Sequence, residues 1–378
     1  ANARLHIARR VRPLCVSMRK IDWKVALAAL GLHWLAVIAA YCVMRATVPG
    51  TGTLFAMLET RFTTAGDAPH YLFLATEGYQ ATGEQANLIV FYPLYPLLMR
   101  LLSFVTGNAA ISGVLISQIS FSAASVVLFR LIEKDHSVRA AWLGTLLMVL
   151  YPFCVFTMGV FTEGLFLLLT LLTLSAIRER RYLAAGIFGF LAAFTRTQGM
   201  LLLAPALYEW IVSRKSRRGW FVFLIPLGFG AYLLLNRVLQ GSFFRFLEHQ
   251  AAPPWYQTTK WVSENLAQHF DMAQAYPGLA FIIYGAQIAL YFLTAAALFY
   301  GLWRGTRTCY LVYGAAYLIF TYFSGWMISG GRYMLGCVPL FLIAADIKSA
   351  RAGQLLLAAS ALLFALYTFL FLQGYAIM

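Results

Sequence analysis

Residues 91–107, FYPLYPLLMRLLSFVTG, form the stretch on which the path of the whole chain turns. The run is apolar enough to pass for a membrane helix, but Pro93 and Pro96 stand near its start, where proline opens a helix and does not continue one. If it crossed a bilayer, the loop from Ile132 to Arg139 would lie outside and the basic clusters after it would be reversed. Reading it as a surface or re-entrant helix restores an alternation in which every dense basic cluster falls on one side.

The rest of the chain calls for that bilayer. Of 378 residues, 61% are hydrophobic and only 11% charged, with a mean hydropathy of +0.73, a balance that excludes a soluble domain of this length. Eleven apolar blocks are long enough to be read as transmembrane helices: 25–48, 110–130, 140–158, 160–177, 182–195, 198–212, 219–239, 277–302, 308–328, 333–347 and 353–375. Their length sets them apart from the short alternating strands of a barrel. The first run is too long for a signal-peptide core and lacks a small-residue cleavage site, so it reads as a retained helix. The pair within 182–212 is short for two full spans and reads as two half-depth helices joined by Arg196-Thr197-Gln198-Gly199.

Twenty-one of the 29 Lys and Arg fall in six clusters on one side: the N-terminus (Arg4, Arg9, Arg10, Arg12, Arg19, Lys20, Lys24), Arg130/Lys134/Arg139, Arg178/Arg180/Arg181, Arg214/Lys215/Arg217/Arg218, Arg304/Arg307 and Lys348/Arg351. This is a positive-inside pattern, and it accounts for the net charge of +15 without nucleic acid as a partner. The organisation expected is a basic cytoplasmic N-terminus (1–24), a transmembrane module (25–240) with a long first outer loop (49–109), a second outer loop (241–276) and C-terminal transmembrane helices (277–378). The five cysteines have neither disulfide nor metal spacing and read as packing thiols. There is no P-loop, Rossmann glycine pattern or nucleophile elbow.

Chemistry therefore belongs to the outer side. Asp67, in Gly66-Asp67-Ala68-Pro69-His70-Tyr71, stands where an apolar stretch begins on the outer face. It can act as a general base or, lying just ahead of Pro69, as a helix N-cap. Glu163, in Phe161-Thr162-Glu163-Gly164, heads an otherwise apolar span, where an ionisable group is costly; it is either functional or a favourable charge at a helix N-terminus. Arg196 and Arg332 sit at span ends where basic residues are sparse. They are expected to converge on one phosphate site, the alternative being snorkelling to the interface. His70 and His249 are loop histidines, suited to substrate contact or to surface hydrogen bonding.

The run from Gly66 to Tyr79, GDAPHYLFLATEGY, followed by Phe91-Tyr92-Pro93-Leu94-Tyr95-Pro96-Leu97-Leu98, resembles the signature of the PIG-V family, GPI mannosyltransferase II and its bacterial relatives in the GT-C superfamily. The similarity continues in order through Tyr151-Pro152-Phe153, Phe161-Thr162-Glu163-Gly164, Thr195-Arg196-Thr197-Gln198-Gly199 and Arg332-Tyr333 to Pro339-Leu340-Phe341. Gly66 departs from it, standing where the family usually carries Trp. The resemblance implies an all-α GT-C-type membrane fold and a polyprenyl-phosphate sugar donor, mannose-bearing in the eukaryotic members. It further implies a lipid-linked or glycan acceptor and catalysis on the periplasmic or lumenal face, here of a bacterial inner membrane. Asp67 becomes the catalytic carboxylate, with His70, Tyr71, Glu163, Arg196, His249, Arg332 and Tyr333 around the substrates. No cofactor is called for; a divalent metal, if one were used, would sit near Asp67 and Glu163. A transporter or flippase of lipid-linked saccharides is the alternative from another class.

Overall fold

The computed structural model describes residues 18–213, 216–325, 329–375 and 377. Arg4, Arg9, Arg10, Arg12, Cys15, Arg214 and Lys215 lie outside the described residues. Among the described residues there are helices and no strands, only one isolated bridge between Thr259 and Ser324. The helices run α1 (Lys20–Thr47), α2 (Leu54–Thr63), α3 (Ala68–Thr76), α4 (Leu94–Thr106), α5 (Ala109–Glu133), α6 (Val138–Val149), α7 (Glu163–Arg178), α8 (Tyr182–Ala193) and α9 (Leu203–Val212). They continue as α10 (Leu224–Gln240), α11 (Arg245–Ala251), α12 (Val262–Ala275), α13 (Leu279–Trp303), α14 (Thr308–Tyr322), α15 (Gly330–Met334), α16 (Pro339–Ala344) and α17 (Ala350–Gln373).

Five elements are long and apolar enough to cross a membrane: α1, α5, the segment 217–240 that ends in α10, α13 and α17. This is an architecture of the kind that integral membrane helical proteins adopt. The other apolar blocks are shorter or broken. Block 140–158 stops as a helix at Val149, ahead of Tyr151-Pro152, and block 333–347 is divided between α15 and α16 near Gly336 and Pro339. Such breaks are tolerated at membrane depth where neighbouring helices cover the freed backbone; α7, only 16 residues long, is buried along most of its length. The pair in 182–212 forms two short helices, α8 and α9, joined through Arg196 and a 3₁₀ turn over Thr197–Leu202.

The deciding stretch does not run on as one straight span. A 3₁₀ turn, Glu84–Val90, meets α4 at a bend of 108°, and the 13 residues of α4 reach only about 20 Å. Tyr95 and Met99 point inward with no exposure, whereas Phe104 and Val105 are more than 80% exposed, so the helix offers an apolar outer face. Gly107 then closes α4 at φ +70°, which a side chain would resist. Asn108 opens α5 by accepting hydrogen bonds from the N–H groups of Ala110 and Ile111 at 2.8 and 3.0 Å.

Loop charges make the alternation of the helices explicit. Arg130 binds Asp22 at 2.6 Å and Arg19 binds Glu133 at 2.8 Å; Arg178 pairs with Asp135 and Lys134 with Glu179. Arg180 and Arg307 share Glu209 at 3.3 and 3.5 Å, and Arg304 reaches Asp346 at 2.8 Å. These pairs link six segments, from the start of α1 to the turn before α17, at one end of the bundle. Described members of five of the six clusters read from the sequence join these pairs, Lys348 through Asp346 at 2.8 Å. The described cysteines, Cys42, Cys154, Cys309 and Cys337, are free thiols.

Asp22 is fully buried and takes both Nε and Nη2 of Arg130, fastening α1 to α5. Asp22→Ala is therefore expected to cost about 2 kcal/mol by leaving that guanidinium without its acceptor. The check is the melting temperature in detergent, and an unaltered value would show that the pair does not hold the two helices.

Candidate functional site

Asp67 occupies the N-cap position of α3 with Pro69 in the first turn, as a local reading suggests, but its side chain makes no capping hydrogen bond. Its Oδ2 instead meets Nη2 of Arg332 at 2.8 Å. A full positive charge attracts the carboxylate more strongly than the partial charge of a neutral N–H does, so the distant ion-pair partner wins over the local cap.

Arg332 leads on to Glu163. The first residue of α7, Glu163 is 4% exposed, and its Oε1 accepts from both Nε of Arg332 and Nη1 of Arg196, each at 2.6 Å. Its Oε2 is buried without a hydrogen-bond partner among the described residues. Arg196 also donates to Oγ1 of Thr162 at 3.2 Å. Both guanidinium groups lie over aromatic rings: Arg332 over Phe156 and Phe161 at 4.7 and 5.0 Å, and Arg196 over Tyr333 at 4.8 Å. Two carboxylates thus meet two guanidinium groups in the interior, a neutral set. Isolated buried charges would each cost several kcal/mol.

Broken helices make this meeting possible. Arg196 comes from the turn between α8 and the 3₁₀ segment, and Arg332 from α15, only five residues long. The backbone before Arg332 is held from two sides: Gly331 N–H donates to Oε1 of Gln287 on α13, and its carbonyl accepts from the Tyr151 hydroxyl at 2.8 Å. Tyr317 donates to the Tyr333 carbonyl at 2.9 Å. At the other side of the set, Ser117 of α5 donates to the Phe161 carbonyl at 2.8 Å and shares a 2.7 Å hydrogen bond with Tyr95 of α4. The carboxylate of Glu163 is thereby referred to the stretch that decided the chain's path.

A cavity of about 1080 Å³ adjoins this set, and its lining includes Asp67, Tyr71, Arg196, Arg332 and Tyr333. Apolar side chains line it as well, among them Phe229 of α10, Phe246 and Leu247 of α11, and Ile319 and Phe320 of α14. The second loop adds Trp255, Gln257 and Thr258. One chamber thus offers cationic forks, a carboxylate and apolar surface together.

Of the residues singled out in the sequence, Asp67, Tyr71, Arg196, Arg332 and Tyr333 line the cavity, and Glu163 lies behind the two arginines. His70 and His249 are not part of the lining. His70 stacks on Phe91 and stands edge-on to Trp255, each at 5.1 Å, and burial there holds its imidazole below the usual pKa against the pull of Asp67. His249 hydrogen-bonds through Nε2 to Oε1 of Gln240 at 3.0 Å; burial, helped by Arg245, lowers it too. Sequence reasoning missed Gln287, Trp255 and Gln198, which is buried and faces the cavity. Gln287 did carry a signal, as a lone amide within an apolar run. Among the described residues no group of three His, Cys, Asp or Glu side chains could hold a metal. No family model matches the chain, and no curated protein is matched by it.

Gly164 allows Glu163 its place. A Cβ there would run into the Ser117 carbonyl of α5, so α7 approaches α5 as only a glycine permits. Gly164→Ala is expected to destabilise the bundle by about 1–3 kcal/mol and to move Glu163 off the arginines. Thermal melting checks the first effect. Retention of the wild-type melting temperature would mean that the helices part without cost.

Proposed function

We propose that the chain is a membrane glycosyltransferase of the GT-C type, akin to the PIG-V family, that moves a sugar, mannose on the family resemblance, from a polyprenyl-phosphate donor to an acceptor hydroxyl. The observation that carries this reading is the linked set Asp67–Arg332–Glu163–Arg196 beside a cavity that Asp67, Arg196 and Arg332 line together with apolar side chains such as Phe229, Phe246 and Ile319. A lipid monophosphate sugar needs that combination: forks for phosphate oxygens, a carboxylate beside the sugar and a greasy wall for the tail. On this reading the eleven apolar segments cross or enter the bilayer, the basic end faces the cytoplasm and the cavity faces the periplasm or lumen.

The chemistry is inverting. Asp67 takes the proton of the acceptor hydroxyl as its oxygen attacks C1 of the sugar, and the C1–O bond to phosphate breaks on the opposite face. The lipid phosphate leaves as an anion, its charge met by Arg196 and Arg332. The acceptor is lipid-linked or a glycan, and no nucleotide is consumed. Phe104 and Val105 on the exposed face of α4 suit a helix lying at the membrane surface beside the cavity.

Two experiments bear on this. Purified protein incubated with a panel of polyprenyl-phosphate sugars should release or transfer the sugar, and Asp67→Asn should slow the reaction by roughly a hundredfold to ten-thousandfold while the protein still folds. Movement of lipid-linked saccharide across proteoliposomes without bond cleavage would favour a flippase instead. For orientation, a cysteine introduced at Gln257 should label in intact cells, and labelling only after permeabilisation would turn the topology over.

A further inference from the structure

In-line displacement puts the base and the departing phosphate on opposite faces of the sugar. In the structure Arg332 touches the base directly, with Nη2 2.8 Å from Asp67 while its Nε is held by Glu163. One guanidinium cannot keep that contact and also receive a phosphate on the far side of the ring. The two carboxylates that share Arg332 are also unlike each other. Glu163 is 4% exposed, begins a helix packed hard on α5, and does not reach the cavity. The Asp67 side chain is 30% exposed, lines the cavity and has no capping bond to anchor it. One is a fixed partner and the other a replaceable one.

We infer that Glu163 is the positioning residue that sets both guanidinium groups for an incoming phosphate, and that Arg332 exchanges Asp67 for that phosphate, so that arrival of the donor frees the base. The inference rests on the donor reading above for the identity of the anion. Charge argues the same way: the set is neutral when empty, and a phosphodiester adds one negative charge that both arginines attract and Asp67 repels. Nη1 of Arg332 and Nε and Nη2 of Arg196 have no acceptor among the described residues, which leaves donors from both forks for phosphate oxygens. The site thereby imposes an order, donor before acceptor activation, and an empty enzyme keeps its base engaged.

The test is the affinity of the detergent-solubilised protein for geranyl phosphate, measured by calorimetry, with inorganic phosphate as a second probe. Asp67→Asn removes the competitor and should bind geranyl phosphate about tenfold tighter. Glu163→Gln also removes one negative charge, but it should bind roughly tenfold weaker, because orientation is lost. Opposite signs from two neutralisations in one cluster are what a general loss of structure or a simple change in charge would not produce. Tighter or unchanged binding by Glu163→Gln overturns the positioning role, and weaker or unchanged binding by Asp67→Asn overturns the exchange. If Glu163→Gln does not fold, Glu163→Asp decides: it keeps the charge and withdraws the oxygen by one methylene, so weaker binding supports positioning and unchanged binding overturns it. If inorganic phosphate gives this pattern and geranyl phosphate does not bind, the inference stands and the lipid-donor reading falls. Binding of neither anion to the wild type overturns the inference itself.

Discussion

One oxygen atom, Oε1 of Glu163, accepts from two arginines that lie far apart in sequence, and most of the unusual geometry nearby exists to let it. Guanidinium groups cannot be carried into an apolar interior unpaired, and a carboxylate cannot be left there alone. Arg196 and Arg332 therefore approach from helix breaks, where the chain can turn a side chain inward, and α7 starts at the residue they meet. The aromatic rings of Phe156, Phe161 and Tyr333 cover the cations from the sides that the carboxylates do not reach. Short helices in this part of the bundle are consequences of the charge set.

How much of this could be read in the residues varied with the distance over which the controlling interaction acts. Apolar blocks and basic loops are local, and they led to an all-helical bundle with the basic loops at one end, tied together by Asp22, Glu133, Asp135, Glu179, Glu209 and Asp346. The convergence of Arg196 and Arg332 was also legible, since each is a basic residue where such residues are scarce. Spanning length was not: five elements reach it as single helices, and Pro152, Gly336 and Pro339 interrupt runs whose composition alone looks continuous.

Asp67 marks the limit of local rules more sharply. Its position was right for a cap and its backbone is at the cap, yet the side chain answers to a residue 265 positions later in the chain. Gln287 and Tyr151 clamp the backbone of Gly331, and although Gln287 stands out as a lone amide in an apolar run, neither residue's surroundings name the turn it holds. Trp255 sits in a polar loop without periodicity, where nothing local distinguishes a cavity wall from a solvated turn. Each of these depends on a long-range contact that no sequence window contains.

The helix α3 carries Asp67 at its head and His70 one turn on. The His70 ring stacks on Phe91, from the first loop, and meets Trp255, from the second, edge-on, while Phe91 and Trp255 also touch each other. The two loops are thus joined in a cluster of three rings, one of which shares a helical turn with the carboxylate. If the second loop drew back to admit a bulky molecule, Trp255 would leave His70, and the turn bearing Asp67 would lose its lateral support. Opening the chamber and aiming its carboxylate are mechanically one movement, so the doorway and the working edge of the site share a hinge.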